Sequence, residues 1–126
     1  MSEPLAEALR IQHAAAELGF DWRESGELWD KLAEEIAELK QAVGEGPERI
    51  RDELGDLLFM VVNLARHLRI DPAQALLEAN NKFNSRFNYI TKNIDRLPEI
   101  GHAQRLEAME QLWQDAKRLE RMQGGE

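Results

Sequence analysis

The chain has 126 residues, of which 16 are lysine or arginine and 24 are aspartate or glutamate, so its formal net charge is -8. A chain of this length suits one compact domain, which we expect to span residues 1–126 with a frayed tail at 123–126. The acidic balance argues against nucleic acid as a partner, because nucleic-acid binding normally requires a positive surface. Cysteine is absent, which excludes disulfides and thiolate sites, so any metal ligands must be oxygen or histidine.

The sequence contains neither an export signal nor a stretch of membrane length. Its start, Met1-Ser2-Glu3-Pro4, lacks the basic and then apolar regions of a signal peptide. No apolar run approaches the roughly 20 residues of a membrane span. We therefore expect a soluble, cytoplasmic protein that does not associate with membranes.

The predicted elements are helices, because apolar residues recur at intervals of three and four between widely spaced glycines and prolines. In chain order, we expect five helices at about residues 4–18, 26–43, 47–69, 72–96 and 103–122. The aromatic residues of Phe20-Asp21-Trp22 are predicted to pin the first connection to the core. Gly44 and Pro47 bound a short turn, so the second and third helices should form a tight hairpin.

The fourth helix carries an apolar seam suited to packing against another helix. Its members are Leu76, Phe83, Phe87, Ile90 and Ile94, at spacings of seven, four, three and four. We therefore predict an all-α helical bundle. Five helices with few large aromatic residues do not cover every apolar stripe within one subunit, so we expect a homodimer whose interface completes the bundle.

Two pairs of acidic residues occupy corresponding positions on the two helices of the hairpin. Glu35 and Glu38 lie on the second helix, and Glu53 and Asp56 lie on the third. The two members of each pair are three positions apart. Glu38 and Glu53 each lie six residues from the turn, and Glu35 and Asp56 each lie nine. An antiparallel hairpin should therefore bring all four carboxylates to one patch.

The surroundings of these acids are apolar, since residues 54–68 include only two charged side chains. Repulsion and desolvation would raise the pKa values of packed carboxyls unless a cation were bound. Oxygen ligands indicate Mg²⁺, with Mn²⁺ also possible. The alternative is a solvated helix surface on which the acids pair with Lys31, Lys40 or Arg51.

The acidic motifs resemble those of the MazG-type nucleoside triphosphate pyrophosphohydrolases, a family within the all-α NTP pyrophosphatase superfamily. The family signature is Glu-Glu-x-x-Glu followed by Glu-x-x-Asp, which this sequence carries at residues 34–38 and 53–56 with 14 residues between them. The similarity runs from about Gly19 to Lys117. It includes the segments 55–59, 62–67, 79–83, 86–87 and 113–114.

The resemblance implies hydrolysis of nucleoside triphosphates to nucleoside monophosphate and pyrophosphate, a reaction at the α–β phosphoanhydride that serves nucleotide-pool housecleaning. It implies that Glu35, Glu38, Glu53 and Asp56 bind magnesium and that Glu34 orients or deprotonates the attacking water. The cations among the matching residues would stabilise charge on the departing phosphates. The residues that match family positions close to the triphosphate or nucleotide are Lys31, which we count as catalytic, and Lys82, Arg86, Trp113 and Lys117.

Several of these residues have a second interpretation. Lys82 and Arg86 are compatible with surface cations on spacing alone, and Trp113 lies on an apolar stripe that suits the core. Asn63 shares a helical face with the acids and is predicted to face the base or sugar. His67 lies near a helix end and is expected to interact with the helix dipole, so we do not predict it as a ligand.

Two features differ from the family pattern, and alternatives for the function stay open. Ala37 stands where many relatives have aspartate, and the second MazG-like domain of some members is absent from the sequence. Within the superfamily, the alternative is an enzyme with narrow specificity for dUTP, dCTP or phosphoribosyl-ATP. In a different class, the alternative is a non-catalytic helical dimer that binds a protein partner.

Overall fold

The computed structural model describes residues 3–124. Residues 1–2, and residues 125–126 of the predicted frayed tail, lie outside the described residues. The described part contains no strand, and the prediction of an all-α fold is confirmed. Its elements are the helices α1 (Pro4–Glu17), α2 (Ser25–Ala42), α3 (Pro47–His67), α4 (Pro72–Lys92) and α5 (Arg105–Gln123), and a 3-10 helix at Ile94–Arg96.

Local side-chain chemistry explains where the helices begin. The backbone N–H of Glu24 donates to Glu27 Oε1 at 3.2 Å, which satisfies a donor at the start of α2. Pro47 opens α3, where its missing N–H carries no penalty. At the start of α4, Asp71 Oδ1 accepts a hydrogen bond from the backbone N–H of Ala73 at 3.0 Å, so the Asp71 side chain caps this helix.

The C-terminal helix boundaries differ from those predicted. Helix α4 ends at Lys92, four residues early, because the Asn93 side chain donates to the carbonyl of Tyr89 at 2.8 Å and competes with the backbone pattern. The 3-10 helix then precedes Pro98, which disfavours helical geometry in the residue before it. Helix α5 ends at Gln123, one residue beyond the predicted end, and the frayed tail stays a prediction.

The described residues form two compact units that divide between Leu76 and Leu77. In the first unit, α1 and α2 both pack against α3, and its buried apolar residues include Leu28, Ala42 and Val62. In the second unit, Ile90 and Ala116 are buried. The prediction of a single domain stays a prediction. No helix within residues 3–124 is long and apolar enough to cross a lipid bilayer.

Helix α3 exposes several of its apolar side chains. Leu54, Leu58 and Val61 are exposed, Leu58 at 52%, because α1 and α2 cover only part of the α3 surface within this unit. On α2, Trp29 and Ile36 are also exposed. The single chain therefore leaves apolar helix surface in contact with solvent.

The connection after α1 is held differently from the way its aromatic residues suggested. Phe20 is 83% exposed, so the prediction that it pins the connection to the core is wrong. Asp21 holds the connection instead, because it accepts hydrogen bonds from Arg66 at 2.7 and 3.1 Å. A charge-assisted pair of this geometry fixes a loop on a helix. Trp22, the other aromatic residue of the connection, is half-buried.

Candidate metal centre and adjoining cavity

Three of the four predicted metal ligands converge where α2 packs against α3. Glu35 and Glu38 of α2 and Glu53 of α3 each offer one carboxylate oxygen, and these oxygens lie within 4.8 Å of one another. The spacing of three residues puts the two α2 acids on one helical face. The short connection between the helices then brings Glu53 to the same level.

Asp56 belongs to a second acidic group. It lies with Asp52 and Glu53, again with carboxylate oxygens within 4.8 Å of one another, so Glu53 is common to both groups. Asp56 and Asp52 are exposed, whereas Glu53 is buried. An aspartate side chain is one carbon shorter than that of glutamate and extends less far towards a facing helix. Asp52 was not among the site residues predicted from the sequence, because acidic residues on exposed helix surfaces are common and give no specific signal.

The buried glutamates have oxygens that lack partners. Glu35 and Glu53 are each 6% exposed, and Oε2 of each is inaccessible and has no hydrogen-bond partner among the described residues. A buried carboxylate oxygen without a donor destabilises the fold, because it has lost its water. A divalent cation that prefers oxygen ligands is a suitable partner for such atoms. The residues present therefore fit a metal ion.

Repulsion within the cluster has a direct effect on Glu38. The charge of Glu35 raises the pKa of Glu38 above its usual value, and burial and the charge of Glu53 act in the same direction. Carboxylates this close disfavour one another's charged form. A bound cation would relieve this repulsion, which is a second indication that the cluster suits a metal.

Each buried glutamate has a cation on one of its oxygens. Lys31 Nζ lies 3.4 Å from Glu35 Oε1 and 3.6 Å from Glu34 Oε1. Its pKa is raised, mainly by the hydrogen bond to Glu35 and then by the charge of Glu34. The Glu34 side chain is 59% exposed, so it lies beside the buried acids and remains open to solvent. Arg49 Nη2 lies 2.9 Å from Glu53 Oε1, a contact that the sequence analysis missed.

A cavity of about 550 Å³ lies between α1, the connection that follows it and α3. Its lining is mainly apolar and aromatic, and Asn63 also lines it. Asn63 follows Asp56 by seven residues on α3, two helical turns or about 10 Å along the axis, and lies on the same face. The aromatic lining residues are Phe20, Trp22 and Phe59.

Polar contacts fix one side of this cavity. Arg66 donates to Asn63 Oδ1 at 3.0 Å as well as to Asp21. His67 Nε2 lies 2.9 Å from Asp21 Oδ1. The hydrogen bonds from Arg66, and to a smaller extent the contact with His67, hold the pKa of Asp21 well below its usual range. His67 lies in the last turn of α3, and its side chain contacts Asp21.

Gln12 of α1 is a buried lining residue that the sequence analysis also missed. Its Nε2 donates to the carbonyl of Phe59 at 3.0 Å, which links α1 to α3. The side-chain oxygen of Gln12 has no partner in the described part of the chain. A polar residue at position 12 gives no signal of its own in the sequence, because helix surfaces commonly carry glutamine.

Four of the predicted substrate-binding residues lie in the second unit. Arg86 pairs with Glu120 through Nε and Nη2 at 3.1 to 3.3 Å, and its guanidinium lies 5.3 Å from the centre of the Trp113 ring. Trp113 also contacts Phe83, with ring centres 5.4 Å apart, so it has a packing role in this unit. Lys82 is exposed and Lys117 is half-buried.

Comparison with known proteins identifies the family. Residues 23–91, more than half of the chain, match the MazG nucleotide pyrophosphohydrolase domain. The chain belongs to this family. The matched range contains both acidic groups of the MazG domain and the predicted residues Lys31, Asn63, Lys82 and Arg86, whereas Trp113 and Lys117 lie beyond it.

Several curated proteins are similar to this MazG domain. The nucleoside triphosphate pyrophosphohydrolase/pyrophosphatase MazG of Thermotoga maritima is 38% identical over 113 residues, which cover 90% of this chain and 44% of that protein. The nucleoside triphosphate pyrophosphohydrolase of Escherichia coli K12 is 41% identical over 120 residues, 92% of this chain and 45% of that protein. The uncharacterized protein YabN of Bacillus subtilis is 40% identical over 72 residues. The chain therefore spans less than half the length of these relatives.

Proposed function

We propose that this MazG domain hydrolyses nucleoside triphosphates to nucleoside monophosphate and pyrophosphate with the help of Mg²⁺, for which Mn²⁺ can substitute. The observation that carries the proposal is the pair of buried glutamates, Glu35 and Glu53, each with an unpaired oxygen beside a third carboxylate. The Thermotoga maritima and Escherichia coli relatives, which are named as nucleoside triphosphate pyrophosphohydrolases, support the reaction class. Nucleotide-pool housecleaning is the corresponding role.

The proposed ligands of the cation are Glu35, Glu38, Glu53 and Asp56. Their hard carboxylate oxygens suit Mg²⁺, which binds proteins through a few carboxylates and accepts phosphate oxygens as further ligands. When bound, the cation neutralises negative charge on the triphosphate and polarises its phosphorus–oxygen bonds. Such neutralisation matters in a chain with a net charge of -8, which would otherwise repel a polyanion.

The residues next to the ligands handle the water and the leaving group. Glu34 is exposed to solvent beside the cluster, so its carboxylate orients a water molecule and accepts its proton as the water oxygen attacks the α-phosphorus. The bond between the α-phosphorus and the bridging oxygen breaks, and pyrophosphate leaves with the electron pair. Lys31 lies between Glu34 and Glu35 and stabilises the charge that develops on the departing phosphates.

The cavity is the proposed location of the nucleoside. Its volume of about 550 Å³ suits a small-molecule ligand, and Asn63 provides an amide for the base or sugar. The proposed roles of Lys82, Arg86, Trp113 and Lys117 rest on the family resemblance alone. Arg86 would have to exchange Glu120 for a phosphate group to contact the substrate.

The proposal includes a homodimer in the cytoplasm. The exposed apolar residues of α2 and α3 support a subunit interface, because large apolar patches commonly mark association surfaces. The absence of cysteine is compatible with a reducing compartment. Neither nucleic acid nor a membrane is part of the proposed function.

The test is turnover of the common and damaged nucleoside triphosphates with and without Mg²⁺, with pyrophosphate as the measured product. The panel includes dUTP, dCTP and phosphoribosyl-ATP, and a strong preference for one of them would replace broad specificity by the narrow alternative. Pyrophosphate release only in the presence of Mg²⁺ is the expected result. A protein that releases no pyrophosphate from any substrate, and whose melting temperature does not respond to Mg²⁺, would support the non-catalytic binding protein instead.

Two variants test the ligands directly. We expect Glu53→Gln and Asp56→Asn to lose at least about a hundredfold in turnover while keeping the helical fold, since an amide is a poor ligand for a hard cation. The matched control is Asp30→Asn, which removes an acid of α2 that lies in neither acidic group. Full activity of Glu53→Gln would overturn the assignment of the site.

A further inference from the structure

The two buried glutamates are neutralised in the same way on their two helices. Glu35 Oε1 lies 3.4 Å from Lys31 Nζ, and Glu53 Oε1 lies 2.9 Å from Arg49 Nη2. In both pairs the cation comes four residues earlier on the same helix. The second oxygen of each glutamate has no partner among residues 3–124. The protein thus supplies one positive charge to each buried carboxylate.

Arg49 differs from Lys31 because it is divided among three carboxylates. Its Nε donates to Glu45 Oε2 at 3.3 Å, Nη1 lies 3.5 Å from Asp52 Oδ2, and Nη2 contacts Glu53. Glu45 lies in the connection between α2 and α3. The planar guanidinium presents separate donors to each acid. Arg49 can therefore lose one carboxylate and keep two.

The exposure of these side chains shows which of its three contacts Arg49 can lose. The Glu53 side chain is 7% exposed, whereas those of Arg49, Glu45 and Asp52 are 50%, 44% and 66% exposed. Glu53 cannot use water as a substitute partner, but Arg49 can turn towards solvent and its two exposed acids. Glu53 is also the residue shared by both acidic groups. The charge of Arg49, its ion-pair partner, therefore acts on both groups.

We propose that Arg49 is a positioning residue that serves as the internal counter-ion of Glu53 and yields this carboxylate to a divalent cation, remaining paired with Glu45 and Asp52. The inference rests on the proposed function, because it requires that the acidic cluster binds a cation. Without the cation, Arg49 holds Glu53 in place and stabilises an otherwise unpaired buried charge. When a cation binds the unpaired Oε2 of Glu53, the guanidinium on Oε1 of the same carboxylate repels it. Arg49 therefore weakens cation affinity and makes binding readily reversible.

The principal test is the affinity of the full chain for Mn²⁺ without nucleotide, measured by calorimetry or by electron paramagnetic resonance. Arg49→Met keeps the unbranched apolar stem and the helix propensity but removes the charge. We expect its Mn²⁺ dissociation constant to fall about fivefold, a factor typical of a partly exposed ion pair. We also expect a lower melting temperature than wild type in a chelator and recovery of that difference at saturating Mn²⁺.

A second variant moves the affinity in the opposite direction. Glu45→Gln removes one of the two carboxylates that Arg49 can contact in place of Glu53. Arg49 should therefore remain paired with Glu53, and the Mn²⁺ dissociation constant should rise by about two- to threefold. In the double variant with Arg49→Met, the change at Glu45 should have little further effect. This dependence of one substitution on the other distinguishes a shared partner from a general loss of negative charge.

The matched control is Arg51→Met, which removes the same charge from the same helix. Arg51 lies about 200° around α3 from Arg49 and has no ion pair in the part of the chain that the structure describes. The Mn²⁺ dissociation constant of Arg51→Met should therefore differ from that of wild type by less than about twofold. Arg49→Lys should have a Mn²⁺ affinity between those of wild type and Arg49→Met, because lysine keeps the positive charge but lacks the separate donors of the planar guanidinium.

The outcomes separate this inference from the proposed function. A wild-type chain that binds no Mn²⁺ would overturn both. If wild type binds Mn²⁺ and Arg49→Met binds it equally or more weakly, the role of Arg49 is wrong while the proposed function stands. An effect of Glu45→Gln that is equally large with and without Arg49 would also contradict the inference.

Discussion

The unpaired oxygens of Glu35 and Glu53 lower the stability of this domain at two single residues. Each side chain is almost completely buried, and each leaves Oε2 without a donor in the described residues. A buried acceptor without a partner typically costs about 1–3 kcal/mol. The cation-free fold carries this cost, and a bound cation would remove it.

Glu38 allows a test of the repulsion within the cluster. Because the pKa of Glu38 is raised, its ionisation destabilises the folded state, so stability is lost as the pH rises through its folded pKa. We expect Glu38→Gln, in a chelator, to melt at a higher temperature than wild type near neutral pH. The difference should shrink as the pH falls through the raised pKa. Melting curves between about pH 4 and pH 8 measure it.

The expected sign of the Glu38→Gln effect depends on the cation. In saturating Mg²⁺ the order should reverse, because the variant has lost a ligand. A variant that melts below wild type at every pH in the chelator would contradict the repulsion.

Asp21 is expected to have the opposite pH dependence. Its pKa is lowered by Arg66 and His67, so its contribution to stability is present above the ordinary carboxyl range and disappears as the pH falls through the folded pKa. Asp21→Asn should lower the free energy of unfolding by about 1 kcal/mol at neutral pH, a value that allows for solvent screening of a partly exposed pair. Urea unfolding at neutral and strongly acidic pH measures this difference.

The control for Asp21 is Asp30→Asn, which changes an exposed acid of α2 and should leave the unfolding free energy nearly unchanged. At strongly acidic pH, wild type and Asp21→Asn should converge, since Asp21 is then protonated in both folded and unfolded wild type. A difference that persists there would assign the effect to packing rather than to charge.

At the scale of elements, the turn between α2 and α3 sets the relative positions of the acids. Gly46 has a φ of 109°, a conformation that L-residues with a Cβ rarely adopt, although a Cβ at this position would meet no atom within 4 Å. We expect Gly46→Ala to destabilise the fold by about 1–2 kcal/mol through backbone strain alone. It should also weaken Mn²⁺ binding, because a shifted turn separates Glu38 from Glu53.

Gly44→Ala is the matched control in the same turn. Gly44 is outside the positive-φ region, and its added Cβ would make an ordinary contact of 3.9 Å with the carbonyl of Gln41. Equal losses of stability and Mn²⁺ affinity in the two alanine variants would contradict the role of Gly46.

The hairpin and its acids were predictable because they depend on local periodicity. Helical spacing puts Glu35 and Glu38 on one face, and a turn between Gly44 and Pro47 leaves few possible alignments for Glu53. The contact between Asp21 and Arg66 was not predictable, since these residues are 45 positions apart and no local pattern joins them. Arg49 was missed for the opposite reason, because cations four residues before an acid occur on most helices.

The whole molecule is expected to be a homodimer, since apolar residues of α2 and α3 face solvent in the single chain. Leu54, Leu58 and Val61 follow one another at spacings of four and three on α3, and all are exposed. We expect wild type to sediment at twice the chain mass and Leu58→Glu to sediment as a monomer, because a charge at an apolar interface is strongly unfavourable. Analytical ultracentrifugation measures both.

Leu18→Glu provides the control for the dimer. Leu18 is 90% exposed and follows the end of α1, so the same substitution there should leave the sedimentation unchanged. A monomeric wild type, or a Leu58→Glu variant that remains dimeric, would contradict the proposed interface.

The burial of Glu35 and Glu53 also affects how variants of this domain would perform in laboratory evolution. A screen for heat resistance carried out in a chelator would reward replacement of these glutamates by apolar residues, because each replacement removes a buried oxygen that has no hydrogen-bond partner. The clones that survive best would then be those that can no longer bind a cation. The same screen in millimolar Mg²⁺ would retain the glutamates, because ligand binding would then contribute to the survival of the fold.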